Sequence, residues 1–158
     1  MKHIIQQSVE DSIKAKKAFF SNHLEQIETC ASIMVSALKK NNKILLFGNG
    51  GSAADCQHIA AEFVSRFQIE RSPLPAIALT TDTSIITAIG NDYSFEDIFF
   101  KQTQALGKKG DIALGISTSG SSPNVIKAIQ EAKKIGMITI GFSGKAGKLI
   151  ELSDIPFC

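Results

Sequence analysis

Apolar residues change their spacing along this chain, and the change divides it. In the first forty positions they recur every three or four residues: Ile4, Ile5, Val9, Ile13 and Phe19-Phe20, then Leu24, Ile27, Ala31, Met34, Val35 and Leu38. That is the period of an amphipathic helix. The polar pair Ser21-Asn22 predicts a break between two helices, and Lys39-Lys40-Asn41-Asn42 closes the second with cations and turn formers. Residues 1–42 are therefore expected to form an N-terminal helical segment whose apolar stripe covers a neighbouring domain or a second subunit.

From Lys43 the pattern tightens. Lys43-Ile44-Leu45-Leu46-Phe47-Gly48 is a short continuous apolar run, as expected of a parallel strand buried on both faces. Residues 75–79, 111–116 and 137–142 read the same way, and Ile155 begins a fifth such run. Between them lie helical stretches: about 53–67, a region from Thr83 to Gly107 divided at Gly90-Asn91-Asp92, about 123–135, and a short one within 145–152. Strands alternating with helices predict an α/β sandwich over 43–158, with helices on both faces of a parallel sheet. The chain stops at Ile155-Pro156-Phe157-Cys158, inside an apolar strand, which predicts a further C-terminal segment beyond these residues.

Composition narrows the function classes. At 158 residues and 44% hydrophobic, the chain suits one domain with a sizeable core. Its net charge of +2 comes without a lysine or arginine run, and it has no tryptophan, so neither a basic stripe nor a base-stacking surface for nucleic acid is expected. The N-terminus turns polar at once and no run of about 18 apolar residues exists, so neither a signal peptide nor a membrane span is expected. Cys30, Cys56 and Cys158 are widely spaced and odd in number. They predict free thiols in a reducing compartment, hence a cytoplasmic protein, rather than a disulfide framework.

Two loops follow strands, at the carboxyl ends where ligands bind in such sheets. Ser117-Thr118-Ser119-Gly120-Ser121-Ser122 offers five hydroxyls ahead of a helix, with Pro123 suited to its first turn and Ser122 to its N-cap. Hydroxyls together with the free N–H groups and positive dipole end of a helix can bind a phosphate dianion without a lysine. Gly48-Asn49-Gly50-Gly51-Ser52 is the second loop. It is neither a Walker A loop nor a dinucleotide fingerprint, so no nucleotide cofactor is expected. On the helix after it, His58 and Glu62 stand four apart and share a face with Asp55, offset from the apolar stripe Ile59, Phe63 and Phe67. By spacing alone this pair reads first as a solvated pair on the helix surface and second as two metal ligands, and Asn91-Asp92 reads as a turn.

Taken together, residues 48–55, 58–62, 90–92 and 115–122 resemble the sugar isomerase (SIS) domain family, and more narrowly the phosphoheptose isomerases. The resemblance implies a flavodoxin-like five-stranded sheet. It also implies interconversion of sedoheptulose 7-phosphate and D-glycero-D-manno-heptose 7-phosphate, a step toward lipopolysaccharide core and related glycans. By position, Ser117, Thr118, Ser119 and Ser122 would hold the phosphate of this seven-carbon sugar. Asn49, Gly50, Gly51, Ser52, Asn91 and Asp92 would line the sugar site. Glu62 would be the base, and His58 and Glu62 the catalytic or metal-binding pair. The resemblance further implies homotetramers and leaves room for one zinc per subunit. The remaining zinc ligands, a glutamine and a histidine, are expected on a C-terminal helix that this sequence lacks; His3 and His23 do not match that place. Two alternatives stay open: a non-catalytic relative that binds the bacterial replication initiator, which lacks an acid at the position of Glu62, and an isomerase of another phosphosugar.

Overall fold

The computed structural model describes residues 1–158. Lys2–Lys39 is one continuous helix, α1, of 38 residues. The break expected at Ser21-Asn22 does not occur, so one N-terminal helix stands where two were expected. Both residues are only mildly poor helix formers, and neither removes a backbone donor as proline would. The chain divides into two compact units within this helix, Met1–Ile33 and Met34–Cys158. In the first, Ile5, Val9, Ile13, Phe20 and Leu24 are exposed, and His23 Nδ1 lies 2.8 Å from the Phe19 carbonyl oxygen.

The second unit holds a parallel sheet of β1 (Ile44–Gly48), β2 (Ala76–Ala78), β3 (Ile112–Ser117), β4 (Ile138–Ser143) and β5 (Ile155–Phe157) in the order β2-β1-β3-β4-β5. This is the flavodoxin-like order, and it reverses direction between β1 and β3. Ile44 pairs with Ile112, and Leu114 with Ile140. All five residues of β1 are buried, as its uninterrupted apolar run requires. The helices are α2 (Gly51–Val64), α3 (Thr83–Asp92), α4 (Ile98–Leu106), α5 (Pro123–Ile135) and α6 (Lys148–Leu152), with a 3₁₀ turn at Phe95–Asp97.

Side chains alternate along each strand, so successive residues face opposite layers. Leu45 and Phe47 of β1 join Phe99 of α4 and Val125, Ala128 and Ile129 of α5 in one core cluster. Leu114 and Ile116 of β3 face the other way, toward α2. Gly48 ends β1 where a Cβ would lie 2.9 Å from the Ile116 carbonyl oxygen, so the first loop leaves the sheet through a gap only glycine fits. Ile155 and Phe157 of β5 are buried. The Asp154 carboxylate clips this edge strand to β4, accepting from Thr139 N at 2.9 Å and Thr139 Oγ1 at 2.8 Å, and from Lys133 Nζ at 2.8 Å.

Candidate active site

β3 delivers Ser117 as its last residue, and the turn to α5 follows. Gly120 takes φ 66° there, and its N–H donates to the Ser117 carbonyl at 2.9 Å. An L-residue is strained at that angle, and a Cβ would also meet Ser143 Oγ at 2.8 Å. Ser122 occupies the N-cap position of α5, yet its hydroxyl makes no cap bond. It turns instead to Ser117 Oγ, 2.8 Å away, and Ser117 Oγ stands 3.4 Å from Ser119 Oγ. Three hydroxyls thus converge at the N-terminal end of α5. Thr118 is exposed, and its carbonyl accepts from Gly144 N at 3.1 Å, which ties this turn to the end of β4.

The glycine-rich segment is shorter as a loop than its composition predicts. Gly50, at φ 57°, is the N-cap, and Gly51 and Ser52 already belong to α2. The Asn49 side chain does not stand free: it exchanges two hydrogen bonds of 2.9 Å with the side chain of Asn124 in α5. α2 then presents His58 and Glu62, with His58 Nε2 lying 3.2 Å from Glu62 Oε1. Their side chains are 77% and 38% exposed, which leaves both reachable by a ligand. A cavity of about 760 Å³ opens in front of them, walled by Asp55, Ile59 and Phe63 of α2, Leu114 and Ile116 of β3, and Phe142 of β4.

Ile116 lines this cavity and Ser117, the next residue, begins the serine cluster. Successive strand residues face opposite layers, so Ile116 opens to the cavity beside α2 while Ser117 belongs to the serine cluster at the start of α5. Asn91 and Asp92 do not join them within this chain: they end α3, both exposed, with Asn91 Nδ2 donating to Asp92 Oδ1 at 2.9 Å. Two residues that pattern reading passed over belong to the site's framework. One is Asn124. The other is Arg71, which also lines the cavity and whose guanidinium donates to the carbonyls of Glu62 at 2.7 Å and Phe63 at 2.9 Å. No glycine follows α2 to cap it, and Arg71 satisfies its open carbonyls instead. Cys56, on the buried side of α2, has its thiol pushed up to about 12 by burial and then by the neighbouring Asp55 charge. It is no nucleophile.

Residues 1–158 hold two of the candidate zinc ligands and no third beside them. His58 and Glu62 supply two ligands, whereas a catalytic zinc takes three from the protein, and no group of three His, Cys, Asp or Glu side chains gathers anywhere in the chain.

Residues 9–144 match the family model described as the SIS domain. Phosphoheptose isomerase of Nitratidesulfovibrio vulgaris (strain Hildenborough) is 54% identical over 155 residues, covering 98% of this chain and 74% of that protein. Phosphoheptose isomerase of Aquifex aeolicus is 55% identical over 148 residues, covering 93% and 78%. The solved structure of a phosphoheptose isomerase from Francisella tularensis superposes with a TM-score of 0.93 at 41% identity, covering 98% of this chain and 83% of that one. A serine cluster at the end of β3, on a flavodoxin-like sheet, defines the class, and this chain belongs to the SIS domain family. Within that family it is a member of the phosphoheptose isomerase group, whose members are isomerases.

Proposed function

We propose that this protein interconverts sedoheptulose 7-phosphate and D-glycero-D-manno-heptose 7-phosphate, for the heptose of lipopolysaccharide or a related glycan. The observation that supports it most directly is the convergence of the Ser117, Ser119 and Ser122 hydroxyls where β3 passes into α5, with a paired imidazole and carboxylate exposed on α2. The serine cluster and the first turn of α5 hold the phosphate, with Ser117, Ser119 and Ser122 converging on it and Thr118 at its exposed rim. Gly50, Gly51 and Ser52 present backbone to the sugar, and Asn91 and Asp92 complete the site where subunits meet.

Glu62 takes the proton from C1 of the ketose, leaving a cis-enediol, and returns a proton to C2. The carbonyl and hydroxyl exchange at the same time: O2 gains a proton and O1 loses one. His58, beside Glu62, has both a donor and an acceptor nitrogen and handles that exchange. Assembly into a homotetramer belongs to this proposal, with the exposed stripe of α1 supporting it. No helix is long and apolar enough to cross a membrane, which accords with a cytoplasmic place of action.

The test is conversion of sedoheptulose 7-phosphate by the purified protein, followed by proton exchange at C1 and C2 in deuterated water. Deuterium incorporation at the carbon that accepts the proton is expected. Binding of the sugar phosphate without exchange at either carbon would instead favour a non-catalytic sugar-phosphate module.

A further inference from the structure

We propose that Asn124 is a positioning residue that locks the turn carrying Asn49 to the phosphate-binding end of α5, so that both loops present themselves to the sugar phosphate as one rigid unit. The role assigned to it rests on the function proposed above; the lock itself does not.

Asn124 is the second residue of α5 and is 2% exposed. Its Nδ2 donates to Asn49 Oδ1, and Asn49 Nδ2 donates back to its Oδ1, both at 2.9 Å. The same Oδ1 accepts the backbone N–H of Val125 at 2.9 Å. Only a primary amide of this length offers the two acceptor lone pairs and the donor that these bonds use. Aspartate at this place lacks the donor, and serine lacks the reach. The pair joins residues 75 apart in sequence and spans the place where the sheet order reverses.

Each end of the bridge reaches a functional element. On one side Asn124 fixes Val125 in the first turn of α5, beside Ser122. On the other it fixes Asn49, which precedes Gly50 at φ 57°, the N-cap of the helix that carries His58 and Glu62. Asn49, expected to turn its amide to the sugar, has spent one N–H and one lone pair on the bridge and keeps one of each. Hydrogen bonds shielded from water in this way hold geometry more firmly than exposed ones. A shift of the turn would move both the sugar-facing backbone and the start of α2.

The experiment uses the full chain with Asn124→Leu, which matches the shape and removes every bond. Hydrogen exchange without ligand comes first. Backbone amides of residues 49–54 are expected to exchange at least about tenfold faster than in the parent, with those of β4 unchanged. Unchanged exchange in 49–54 would overturn the lock, whatever the protein catalyses. Affinities for sedoheptulose 7-phosphate and inorganic phosphate follow. The sugar phosphate is expected to weaken about tenfold and inorganic phosphate less than about threefold. Equal losses for both probes would overturn the assigned role and leave Asn124 as a helix-end support. If the parent binds neither probe, the isomerase reading fails while the exchange result still decides the lock. Should the leucine variant not fold, Asn124→Asp at pH 8 serves. It turns the donation to Asn49 Oδ1 into a contact between two acceptor oxygens and keeps the other two bonds, and a rise in exchange of about threefold or more is expected; the parental rate would overturn the lock.

Discussion

Removing Arg71 tests whether a side chain, and not a backbone motif, finishes the helix that carries His58 and Glu62. Its guanidinium donates to Glu62 O at 2.7 Å, Phe63 O at 2.9 Å and Ser72 O at 3.0 Å, the first two partly buried and the third exposed. Phe63 O also receives the N–H of Leu74 at 3.0 Å and keeps that partner. Glu62 O is the carbonyl left bare. Counting the two sheltered bonds at the low end for a charged donor, about 1.5 kcal/mol each, Arg71→Ala should cost about 3 kcal/mol. For a chain of this size that lowers Tm by about 6–12 °C. Arg71→Lys keeps the charge but cannot grip two carbonyls at once, so it should recover no more than about a third of the loss. Thermal and urea unfolding of the parent and both variants would measure this. A drop below about 2 °C for Arg71→Ala, or full recovery by lysine, would refute the cap and with it Arg71's hold on the Glu62 backbone.

Other outcomes follow from the same geometry. Glu62→Gln should abolish turnover and deuterium exchange at C1, while isothermal titration finds sugar-phosphate affinity within about threefold of the parent. Ser119→Ala should weaken phosphate-ester binding by about 1–3 kcal/mol, read against the unphosphorylated sugar, whose weak binding should not change. Burial pushes the Asp154 carboxyl up, but the Lys133 ammonium and the two bonds from Thr139 outweigh it and hold it below its ordinary 3.8. A carboxylate depressed on folding adds stability above its unfolded pKa and loses it as pH falls through the folded one. Urea unfolding should therefore weaken below about pH 4 in the parent, and Asp154→Asn should be less stable at pH 7 with a flatter acid limb. Gly120→Ala, which places a Cβ against Ser143 at φ 66°, should destabilise by about 1–3 kcal/mol and weaken phosphate binding together, measured by unfolding and titration on the same sample.

The strands were legible because burial on both faces leaves an unbroken apolar run, and β1, β3 and β4 fall within a residue of their predicted spans. Ends were less so. α2 begins at Gly51, because a glycine N-cap at positive φ lets the helix start inside a segment whose composition reads as loop. The division expected at Gly90-Asn91-Asp92 comes at Tyr93-Ser94, after those polar residues have finished α3. His58 and Glu62 were correctly placed on one face by helical spacing, a local property. The serine loop was legible as a candidate, but the direction of the Ser122 hydroxyl was not: a serine before a helix reads as a cap whichever way it turns. Asn124 and Arg71 escaped notice for one reason. Their partners are remote in sequence or lie on the backbone, and neither kind of contact leaves a period or a motif behind.

The reversal of strand order between β1 and β3 makes ligand binding a gauge of assembly. The serine loop is born from β3 and the glycine turn from β1, with α2, β2, α3 and α4 intervening in the chain. On the proposed function, residues preceding β3 and those from β3 onward would each hold half of the site, and neither half should capture the sugar phosphate alone. A ligand held by both halves would recognise only the joined sheet and would draw the folding equilibrium toward it, by about 2.7 kcal/mol at a hundredfold excess over Kd. Cut in the turn at Gly107-Lys108-Lys109-Gly110, between α4 and β3, the protein would become a pair of fragments whose reunion the sugar phosphate itself promotes.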